Sequence, residues 1–355
     1  MSKHAVLLIG GLTHAEKEWK AWSSKYILKE FIDGSRDDFL KRLRDGEYDN
    51  VVGLYRSNMS MTITGPFDSE VVSLLPASLK YICHNGAGYD NIDVDACTQR
   101  GGRRRPTSWN IGMLIYLGIA ISSTPIAVDD ATADVAIFLM LGALRQITIP
   151  LTAIRDGKWR GETPLGHDPK GKTLGILGMG GIGRAMAKRA RAFGMNIVYH
   201  NRSRLPPELE KDATYLSFEG LLVQSDVLSL NLSLNAKTRH IISASEIQKM
   251  KDGVVIVNTA RGALINEKDL VDALESGKVA SAGLDVFENE PAVEDGLLKN
   301  PKVVLLPHIG TNTYETQRDM ELLVLMNLES GVDKGKLLTP IPEQKGKMGG
   351  SKGHL

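Results

Sequence analysis

Residues 173–204, TLGILGMGGIGRAMAKRARAFGMNIVYHNRSR, decide the fold of this chain. The apolar run TLGIL is typical of a buried strand, and it leads directly into glycines at positions 178, 180 and 183. A helix-forming stretch, RAMAKRARAFG, and a second strand, NIVYH, follow. Glycines with this spacing, between a strand and a helix of one βαβ unit, place a dinucleotide pyrophosphate at the N-terminus of the helix. The stretch therefore predicts a parallel, doubly wound α/β domain with a dinucleotide site.

The glycine loop itself provides the predicted phosphate contacts. Gly178 allows the tight turn, Gly180 lets the backbone approach the pyrophosphate, and Gly183 lets the helix pack on the strand. The first N–H groups of a helix lack intrahelical partners and carry partial positive charge. We therefore expect the cofactor phosphates to contact Gly178, Gly180, Gly181, Ile182 and Gly183.

The end of the second strand predicts which dinucleotide binds. Folds that prefer NAD usually place a carboxylate there to bind the ribose 2′-hydroxyl group. This chain has no acidic residue at that point and instead reads Asn201, Arg202, Ser203 and Arg204. The two arginines can form charge-assisted hydrogen bonds with a 2′-phosphate, although exposed arginines are also often only solvated. We predict that these four residues bind the cofactor, with NADP(H) preferred and NAD(H) possible.

The rest of the chain alternates short apolar runs with helical stretches, as α/β proteins with parallel sheets do. One series of predicted strands covers 5–10, 51–55, 81–84 and 119–122, and a stronger series covers 173–177, 196–200, 227–231, 254–258, 283–287 and 303–306. Apolar helix 131–146 lies between the two series, and an amphipathic helix near 313–331 is expected to return to the first domain. The crossover is placed at Thr124-Pro125, because proline after a strand stops a sheet.

These series predict two doubly wound parallel-sheet domains with a cleft between them. A Rossmann cofactor domain is expected over 126–312, and a smaller, flavodoxin-like substrate domain over 1–125 plus 313–342. The polar, glycine-rich residues 343–355 are predicted to be a disordered tail.

Composition excludes several functional classes. Lys plus Arg total 43 and Asp plus Glu total 42, so the net charge does not favour nucleic acid as a partner. The two cysteines form neither a metal cluster nor a disulfide framework, and no metal is expected. No apolar stretch approaches the roughly 20 residues of a membrane helix, and the N-terminus lacks a signal-peptide pattern. We expect a cytoplasmic protein without a membrane partner.

Three further motifs follow predicted strands: VNTARG at 257–262, GLDVFENEP at 283–291 and LPHIG at 306–310. Together with the glycine loop and HNGAGYDNID at 84–93, they resemble the D-2-hydroxyacid dehydrogenase family over nearly the whole chain outside 102–118 and the tail. Within that family the sequence is most similar to glyoxylate/hydroxypyruvate reductases and to fungal-type relatives of D-mandelate dehydrogenase.

The resemblance implies roles for particular residues. His308 would be the general acid that protonates the substrate carbonyl oxygen, and Glu290 would pair with its ring. Arg261 would bind the 2-keto acid through its planar fork, while the N–H groups of Ala87 and Gly88 would take the substrate carboxylate. Asp285 would bind the nicotinamide carboxamide. The remaining positions that match cofactor contacts of the family are Ser233, Thr259 and Gly310.

The function that the resemblance implies is NAD(P)H-dependent reduction of small 2-keto acids, of the glyoxylate/hydroxypyruvate type, to D-2-hydroxy acids. Glu290 stands where related formate dehydrogenases have glutamine, which favours keto-acid reduction because formate oxidation needs no proton donor. The alternatives are a dinucleotide-sensing corepressor of the same fold and an enzyme disabled by the 102–118 segment. A homodimer formed through the long helix is expected, and substrate specificity is assigned to the region of 54–57 and Tyr314.

Residues 102–118, GRRRPTSWNIGMLIYLG, interrupt the family pattern. Their removal would join Gly101 directly to Ile119, which is the junction that the pattern predicts. The 17 codons could contain donor, branch-point and acceptor sequences of a short intron. We expect either a retained intron or an insertion that loops out of the first domain.

Overall fold

A computed structural model describes residues 3–100, 103–104, 115–116 and 118–345. The chain divides into two compact units. The first comprises Met1–Ala127 and Thr313–Leu355, and the second comprises Val128–Asn312.

The first unit is built on a five-stranded parallel sheet. The strands of this unit are β1 (Ala5–Ile9), β2 (Ile27–Phe31), β3 (Val51–Arg56), β4 (Tyr81–His84), β5 (Arg103–Arg104), β6 (Ile115–Tyr116) and β7 (Ala120–Ser122). The five strands of the parallel sheet have the order β2-β1-β3-β4-β7, in the flavodoxin-like arrangement. The helices before residue 127 are α1 (Glu16–Ala21), α2 (Arg36–Arg44), α3 (Ser60–Thr64), α4 (Ser69–Leu74) and α5 (Val94–Gln99), with a 3₁₀ turn at Trp22–Ser24.

The second unit is built on a seven-stranded sheet. Its strands are β8 (Thr173–Leu177), β9 (Asn196–His200), β10 (Thr214–Tyr215), β11 (Val227–Leu230), β12 (Val254–Asn258), β13 (Val279–Leu284) and β14 (Val303–Leu305). They have the order β10-β9-β8-β11-β12-β13-β14, with every pair of neighbours parallel. The helices are α6 (Asp129–Leu144), α7 (Thr148–Arg155), α8 (Gly181–Ala192), α9 (Pro207–Glu210), α10 (Phe218–Gln224), α11 (Ala244–Lys249), α12 (Glu267–Ser276) and α13 (Asp295–Leu298), with a 3₁₀ turn at Gly262–Leu264. The predicted fold class, two parallel doubly wound sheets, is confirmed.

Both faces of the central strands are buried, which explains why these strands are apolar without alternation. Along β12, Val254 and Ile256 belong to one core cluster, while Val255 and Val257 belong to the cluster on the other face. Successive side chains of a strand point to opposite faces, so a sheet covered by helices on both sides needs apolar residues at every position.

Helix α14 (Tyr314–Lys334) returns the chain to the first unit. Its Leu328 lies in a core cluster with Val6 and Leu8 of β1. Near its start, the carboxylate of Glu321 accepts hydrogen bonds from the backbone N–H groups of Thr13, His14 and Ala15, at 2.7 to 2.9 Å. A 3₁₀ turn at Pro342–Gln344 ends the described chain, where the side chain of Gln344 bonds the backbone of β7 at Ile121. Residues 343–345 are thus ordered, and the part of the predicted disordered tail beyond 345 lies outside the described residues.

Some strand predictions differ from the structure. Strand β2 is missing from the predicted set, because ILKEF lies at the sheet edge with mostly exposed or half-buried positions and has no continuous apolar run. The short edge strand β10 is missing for the same reason. The strand predicted over 283–287 lies at Val279–Leu284 instead, and the chain after Leu284 is a loop that carries polar groups of the candidate site.

Most of the predicted insertion, residues 102–118, lies outside the described residues. Within it, Arg103 and Arg104 pair antiparallel with Tyr116 and Ile115. The N–H group of Ile119 donates to the carbonyl of Cys97 at 2.8 Å, so the chain resumes beside the end of α5.

Among the described residues, no single helix is long and apolar enough to cross a membrane. Helices α6 and α7 meet the length and composition criteria only as a pair bent by 77°. Nine residues of α6 are buried, seven of them in a core cluster of the second unit.

Candidate active site

The glycine loop joins β8 to α8 in the geometry that its sequence predicts. Gly178 has φ +99°, a conformation that favours glycine, and a Cβ atom there would lie 2.7 Å from the carbonyl oxygen of Asn231. Both the backbone conformation and the lack of space therefore exclude a side chain. A Cβ atom at Gly183 would lie 2.5 Å from the carbonyl oxygen of Gly178, which confirms that the helix and the turn are in close contact. Open space surrounds the corresponding position at Gly180, where the loop is exposed.

The residues present fit a dinucleotide. The first hydrogen bond of α8 runs from the N–H group of Arg184 to the carbonyl of Gly180, so the N–H groups of Gly181, Ile182 and Gly183 precede the helical ladder. Two buried side-chain oxygens, Oδ1 of Asn231 and Oγ1 of Thr259, have no hydrogen-bond partner in the described protein. Both follow the carboxyl ends of strands, where open parallel sheets bind their ligands. Unpaired buried polar atoms at that edge are suited to a polar ligand.

Ser233 and Asn201 take part in the loops around this edge. Ser233 is exposed, and its carbonyl oxygen accepts a hydrogen bond from Thr238 Oγ1 at 2.8 Å. Oδ1 of Asn201 accepts from the N–H group of Met179 at 2.7 Å. The Asn201 side chain therefore braces the glycine loop, a role that its position in the sequence did not indicate.

The two arginines after β9 have different surroundings. Arg204 forms an ion pair with Glu210: its Nε lies 3.0 Å from both carboxylate oxygens, and its Nη2 lies 2.9 Å from Oε2. Arg202 and Ser203 are exposed and make no hydrogen bond or ion pair within the described chain. The sequence predicted that Arg202 and Arg204 bind the 2′-phosphate in the same way. In the structure, Nε and Nη2 of Arg204 already bind the carboxylate of Glu210.

His308 and Glu290 form a hydrogen-bonded pair. Nδ1 of His308 lies 2.9 Å from Oε2 of Glu290, and Oε1 of Glu290 accepts from the backbone N–H group of Phe287 at 3.0 Å. Because a carboxylate only accepts, Nδ1 carries the proton of this bond, and Nε2 remains for another partner. Burial opposes ionisation of Glu290, but the hydrogen bonds from His308 and Phe287 and the charge of Arg261 outweigh it and lower the pKa of Glu290.

The loop that carries His308 is held by Asp285. The N–H group of Ile309 donates to Oδ1 of Asp285, and that of Gly310 donates to Oδ2, both at 2.8 Å. The N–H group of His308 donates to the carbonyl of Asp285 at 2.7 Å. His308 itself has φ +57°, a conformation that costs a non-glycine residue energy and persists only when neighbours impose it. Burial raises the pKa of Asp285, although the two backbone hydrogen bonds oppose this.

Arg261 lies just beyond β12, half-buried, where Asn258 fixes its backbone. Nδ2 of Asn258 donates to the Arg261 carbonyl at 2.8 Å, and Oδ1 of Asn258 accepts from the Ala260 N–H group at 3.0 Å. A Cβ atom at the next residue, Gly262, would lie 1.9 Å from the carbonyl carbon of Phe287. The loop with Arg261 therefore touches the loop with Glu290. The sequence analysis did not identify Asn258 and Gly262 as residues that support Arg261. Their position next to the end of β12 is the one sequence feature that could have indicated this role.

Ala87 and Gly88 lie in the first unit, in the loop after β4. Both are half-buried, and their N–H groups donate no hydrogen bond within the described chain. Gly86, just before them, exchanges two hydrogen bonds with Thr124, one to Oγ1 at 3.1 Å and one from the Thr124 N–H group at 3.0 Å. The arrangement leaves two adjacent backbone donors available to an anion.

Comparison with known proteins places the chain in a family. The sequence profile described as "D-isomer specific 2-hydroxyacid dehydrogenase, NAD binding domain" matches residues 137–310, and the corresponding catalytic-domain profile matches residues 15–102. The chain belongs to the D-isomer specific 2-hydroxyacid dehydrogenase family, and it is an oxidoreductase with an NAD(P)-binding Rossmann domain. The resemblance drawn from the motifs is thus confirmed.

Individual relatives are similar over nearly their whole length. The chain is 66% identical over 341 residues to 4-methyl-2-oxopentanoate reductase A of Aspergillus oryzae, covering 96% of this chain and 98% of that protein. The crystal structure of a glyoxylate reductase from Paecilomyes thermophila superposes with a TM-score of 0.91 at 66% identity and covers 97% of this chain and 100% of that one. An NADPH-dependent glyoxylate/hydroxypyruvate reductase from Sinorhizobium meliloti, in complex with NADP and malonate, gives a TM-score of 0.79 at 29% identity, covering 96% and 98%. Family and relatives support reduction of 2-keto acids such as glyoxylate.

Proposed function

We propose that this protein reduces 2-keto acids to D-2-hydroxy acids with His308 as the general acid. The observation that carries the proposal is the 2.9 Å hydrogen bond between His308 Nδ1 and Glu290 Oε2. This bond fixes the ring and leaves Nε2 to hold the proton that the substrate oxygen needs. Imidazole suits that task because its unperturbed pKa lies near neutral pH.

The chemistry divides between cofactor and protein. A bound nicotinamide cofactor supplies the hydride that reaches the carbonyl carbon. His308 delivers a proton from Nε2 to the carbonyl oxygen, and the ionised Glu290 stabilises the charged ring beforehand. Asp285 keeps the loop of His308 in place through the Ile309 and Gly310 N–H groups.

The substrate is proposed to be bound by charged and backbone donors. Arg261 offers a permanently charged planar fork that can bind a carboxylate and a carbonyl oxygen together. The N–H groups of Ala87 and Gly88 are proposed to bind the substrate carboxylate, since they have no other acceptor within the described chain.

We further propose NADP(H) as the preferred cofactor, with NAD(H) also accepted. The glycine loop residues Gly178, Gly180, Gly181, Ile182 and Gly183 would bind the pyrophosphate, and Asn231, Ser233, Thr259, Asp285 and Gly310 would line the remaining cofactor. Arg202, exposed and without another partner in the described chain, is the foremost candidate for the 2′-phosphate, with Arg204 and the Ser203 hydroxyl beside it. The absence of a carboxylate from this turn removes the repulsion that a 2′-phosphate would meet.

The substrate is proposed to be either a small or a branched 2-keto acid. The sequence motifs favour glyoxylate or hydroxypyruvate, whereas the name of the relative from Aspergillus oryzae favours 4-methyl-2-oxopentanoate, a branched keto acid. Both share the 2-keto carboxylate that the proposed donors recognise.

The deciding experiment is a panel of these three keto acids, assayed with NADPH and with NADH by the loss of absorbance of the reduced cofactor. Turnover with at least one keto acid and a D-configured product support the proposal. Cofactor binding without turnover of any of them would instead favour a dinucleotide sensor or a disabled enzyme.

A homodimer is the proposed assembly. Large apolar side chains of the second unit are exposed, among them Phe138 at 52%, Trp159 at 71% and Leu165 at 97%. Exposed apolar groups on one unit are suited to burial against a second copy. Light scattering after size-exclusion chromatography tests this, and a mass near 38.7 kDa would contradict it.

A further inference from the structure

A buried arginine and a buried histidine lie beneath the loop of Ala87 and Gly88. Arg56 ends β3 with 0% of its surface exposed, and His84 ends the neighbouring strand β4 with 3% exposed. Nη1 of Arg56 lies 3.3 Å from Nδ1 of His84, and Nε2 of His84 lies 3.0 Å from the carbonyl oxygen of Gly88. Both side chains are buried, and the hydrogen bond from His84 to the Gly88 carbonyl is the contact that joins them to the loop.

The donor pattern fixes which ring nitrogen carries the proton. A guanidinium only donates, so Nδ1 of His84 is an acceptor, and a carbonyl only accepts, so Nε2 of His84 is a donor. The ring is therefore the Nε2–H form. The hydrogen bonds run in one direction, from Arg56 through His84 to the Gly88 carbonyl.

Three further contacts hold the terminal part of the Arg56 side chain, while its buried Nε has no hydrogen-bond partner among the described residues. Its Nη2 lies 3.3 Å from the Gly65 carbonyl oxygen and 3.1 Å from the Met61 sulfur, and its guanidinium stacks 4.9 Å from the centre of the Phe67 ring. Burial lowers the pKa of Arg56 to about 10, opposed by the charge of Asp90, so the group stays charged at neutral pH. Burying a charged group costs free energy unless neighbouring groups bind it. The buried guanidinium of Arg56 donates to Nδ1 of His84 and so orients this histidine.

The backbone on either side of the two free N–H groups is fixed by different partners. Thr124 binds the carbonyl of Gly86, which belongs to the same planar peptide as the N–H group of Ala87. His84 binds the carbonyl of Gly88, at the opposite end of the short segment. The peptide that bears the Gly88 N–H group lies between these two anchored peptides. Its direction therefore depends on both anchors.

We propose that Arg56 and His84 are positioning residues that hold the Gly88 peptide so that the N–H groups of Ala87 and Gly88 point together at the substrate carboxylate. The inference rests on the proposed function, since it assigns how that function's carboxylate donors are aligned. Arg56 keeps His84 in the Nε2–H form, and the hydrogen bond from Nε2 of His84 to the Gly88 carbonyl fixes the orientation of the loop. Neither residue takes part in hydride or proton transfer.

The test uses a matched pair of substitutions at His84. Glutamine can place an amide N–H where Nε2 stands, whereas asparagine reaches only to the position of Nδ1. His84→Asn should raise the KM for glyoxylate or 4-methyl-2-oxopentanoate about tenfold, the effect of about one hydrogen bond, and leave kcat within about threefold. His84→Gln should restore KM to within about threefold of wild type. The affinity for NADPH, followed by its fluorescence, should be the same in all three proteins.

Arg56→Met and the double variant test the direction of the relay. Each single variant should raise KM, and the double variant should be no worse than the poorer single one, because both remove the same support. Backbone hydrogen–deuterium exchange of the segment 85–91 gives a readout that needs no turnover. Exchange should be faster in His84→Asn and Arg56→Met than in wild type or His84→Gln. Arg56→Lys, which keeps one donor, provides the milder variant if Arg56→Met does not fold.

An unchanged KM and unchanged exchange in His84→Asn would overturn the inference while leaving the proposed function intact. A loss confined to kcat, or His84→Gln failing as badly as His84→Asn, would overturn it too. If the wild-type protein reduces none of the keto acids, the proposed function itself fails and this inference falls with it.

Discussion

Arg204 and Glu210 are bound to each other by three contacts of 2.9 to 3.0 Å, and Glu210 is only 4% exposed. The hydroxyl group of Tyr199 also donates to Glu210, at 3.0 Å. Hydrogen bonds from Arg204 are the main reason that the pKa of Glu210 is lowered. Both arginines after β9 are exposed, but Arg204 is paired with the buried Glu210, whereas Arg202 makes no hydrogen bond or ion pair within the described chain.

This difference predicts unequal effects on cofactor choice. Arg202→Ala should raise the KM for NADPH about tenfold, because it removes a charge-assisted bond to the 2′-phosphate, and should leave the KM for NADH unchanged. Arg204→Ala should affect NADPH less and lower the melting temperature, because it leaves Glu210 without its ion pair. Steady-state kinetics with both cofactors and thermal unfolding check this. Equal losses for NADPH and NADH in Arg202→Ala would refute the 2′-phosphate assignment.

Removal of the proposed general acid should slow catalysis strongly and leave cofactor binding intact. His308→Ala is expected to lower kcat by about 10²- to 10⁴-fold, the usual contribution of general acid–base catalysis. The chain offers a matched control in His240, whose Nε2 lies 2.9 Å from Glu288 Oε1 in a second His–Glu pair. His240→Ala should keep nearly full activity. A His308→Ala protein with wild-type turnover would remove His308 from the mechanism.

Glu290 should make stability depend on pH in the acid range. Because its folded-state pKa lies below the ordinary value of 4.5, its stabilising effect is complete above that pH and is lost as the pH falls through the folded-state value. Between about pH 6 and 3, wild type should therefore lose more melting temperature than Glu290→Gln does. Thermal unfolding of both proteins across this range measures the difference. Parallel curves would show that the pair contributes no such linkage.

Gly262 should tolerate no side chain. A Cβ atom there would meet the backbone of Phe287 at 1.9 Å, which a rotamer change cannot relieve. Gly262→Ala should cost about 1–3 kcal/mol of unfolding free energy or more, and should lower activity by moving Glu290 away from His308. Gly11→Ala is the control, since nothing lies within 4 Å of its Cβ position. Chemical denaturation of both variants decides the matter, and equal stability would contradict the proposed contact.

Residues 102–118 should be dispensable. The N–H group of Ile119 bonds Cys97 at 2.8 Å, so the chain resumes beside the helix that precedes the segment. A protein in which Gly101 is joined to Ile119 should fold with at least the wild-type melting temperature and reduce the same keto acids. Sequencing the transcript across codons 97–125 separates a retained intron from a genuine insertion. Loss of folding in the shortened protein would show that the segment belongs to the structure.

Sequence alone determined the parallel α/β class, the glycine loop and the family, because each depends on local patterns. Strand β8, the glycines after it and strand β9 are contiguous, and their physical requirements are those of neighbouring residues. The candidate residues Arg261, Glu290 and His308 were identifiable for a related reason. Each follows or lies near a strand end within a short motif, and those motifs occur in the family's order.

Only the tertiary structure decided which side chains meet. Arg202 and Arg204 look alike in sequence, and only the fold brings Glu210 to one of them. Arg56 and His84 are 28 positions apart, and the parallel pairing of β3 with β4 brings them side by side. The sequence analysis did not predict edge strand β2. A strand at a sheet edge is only partly buried, so its sequence lacks the continuous apolar run of a central strand. Contacts between distant residues depend on strand order and register, which no local pattern encodes.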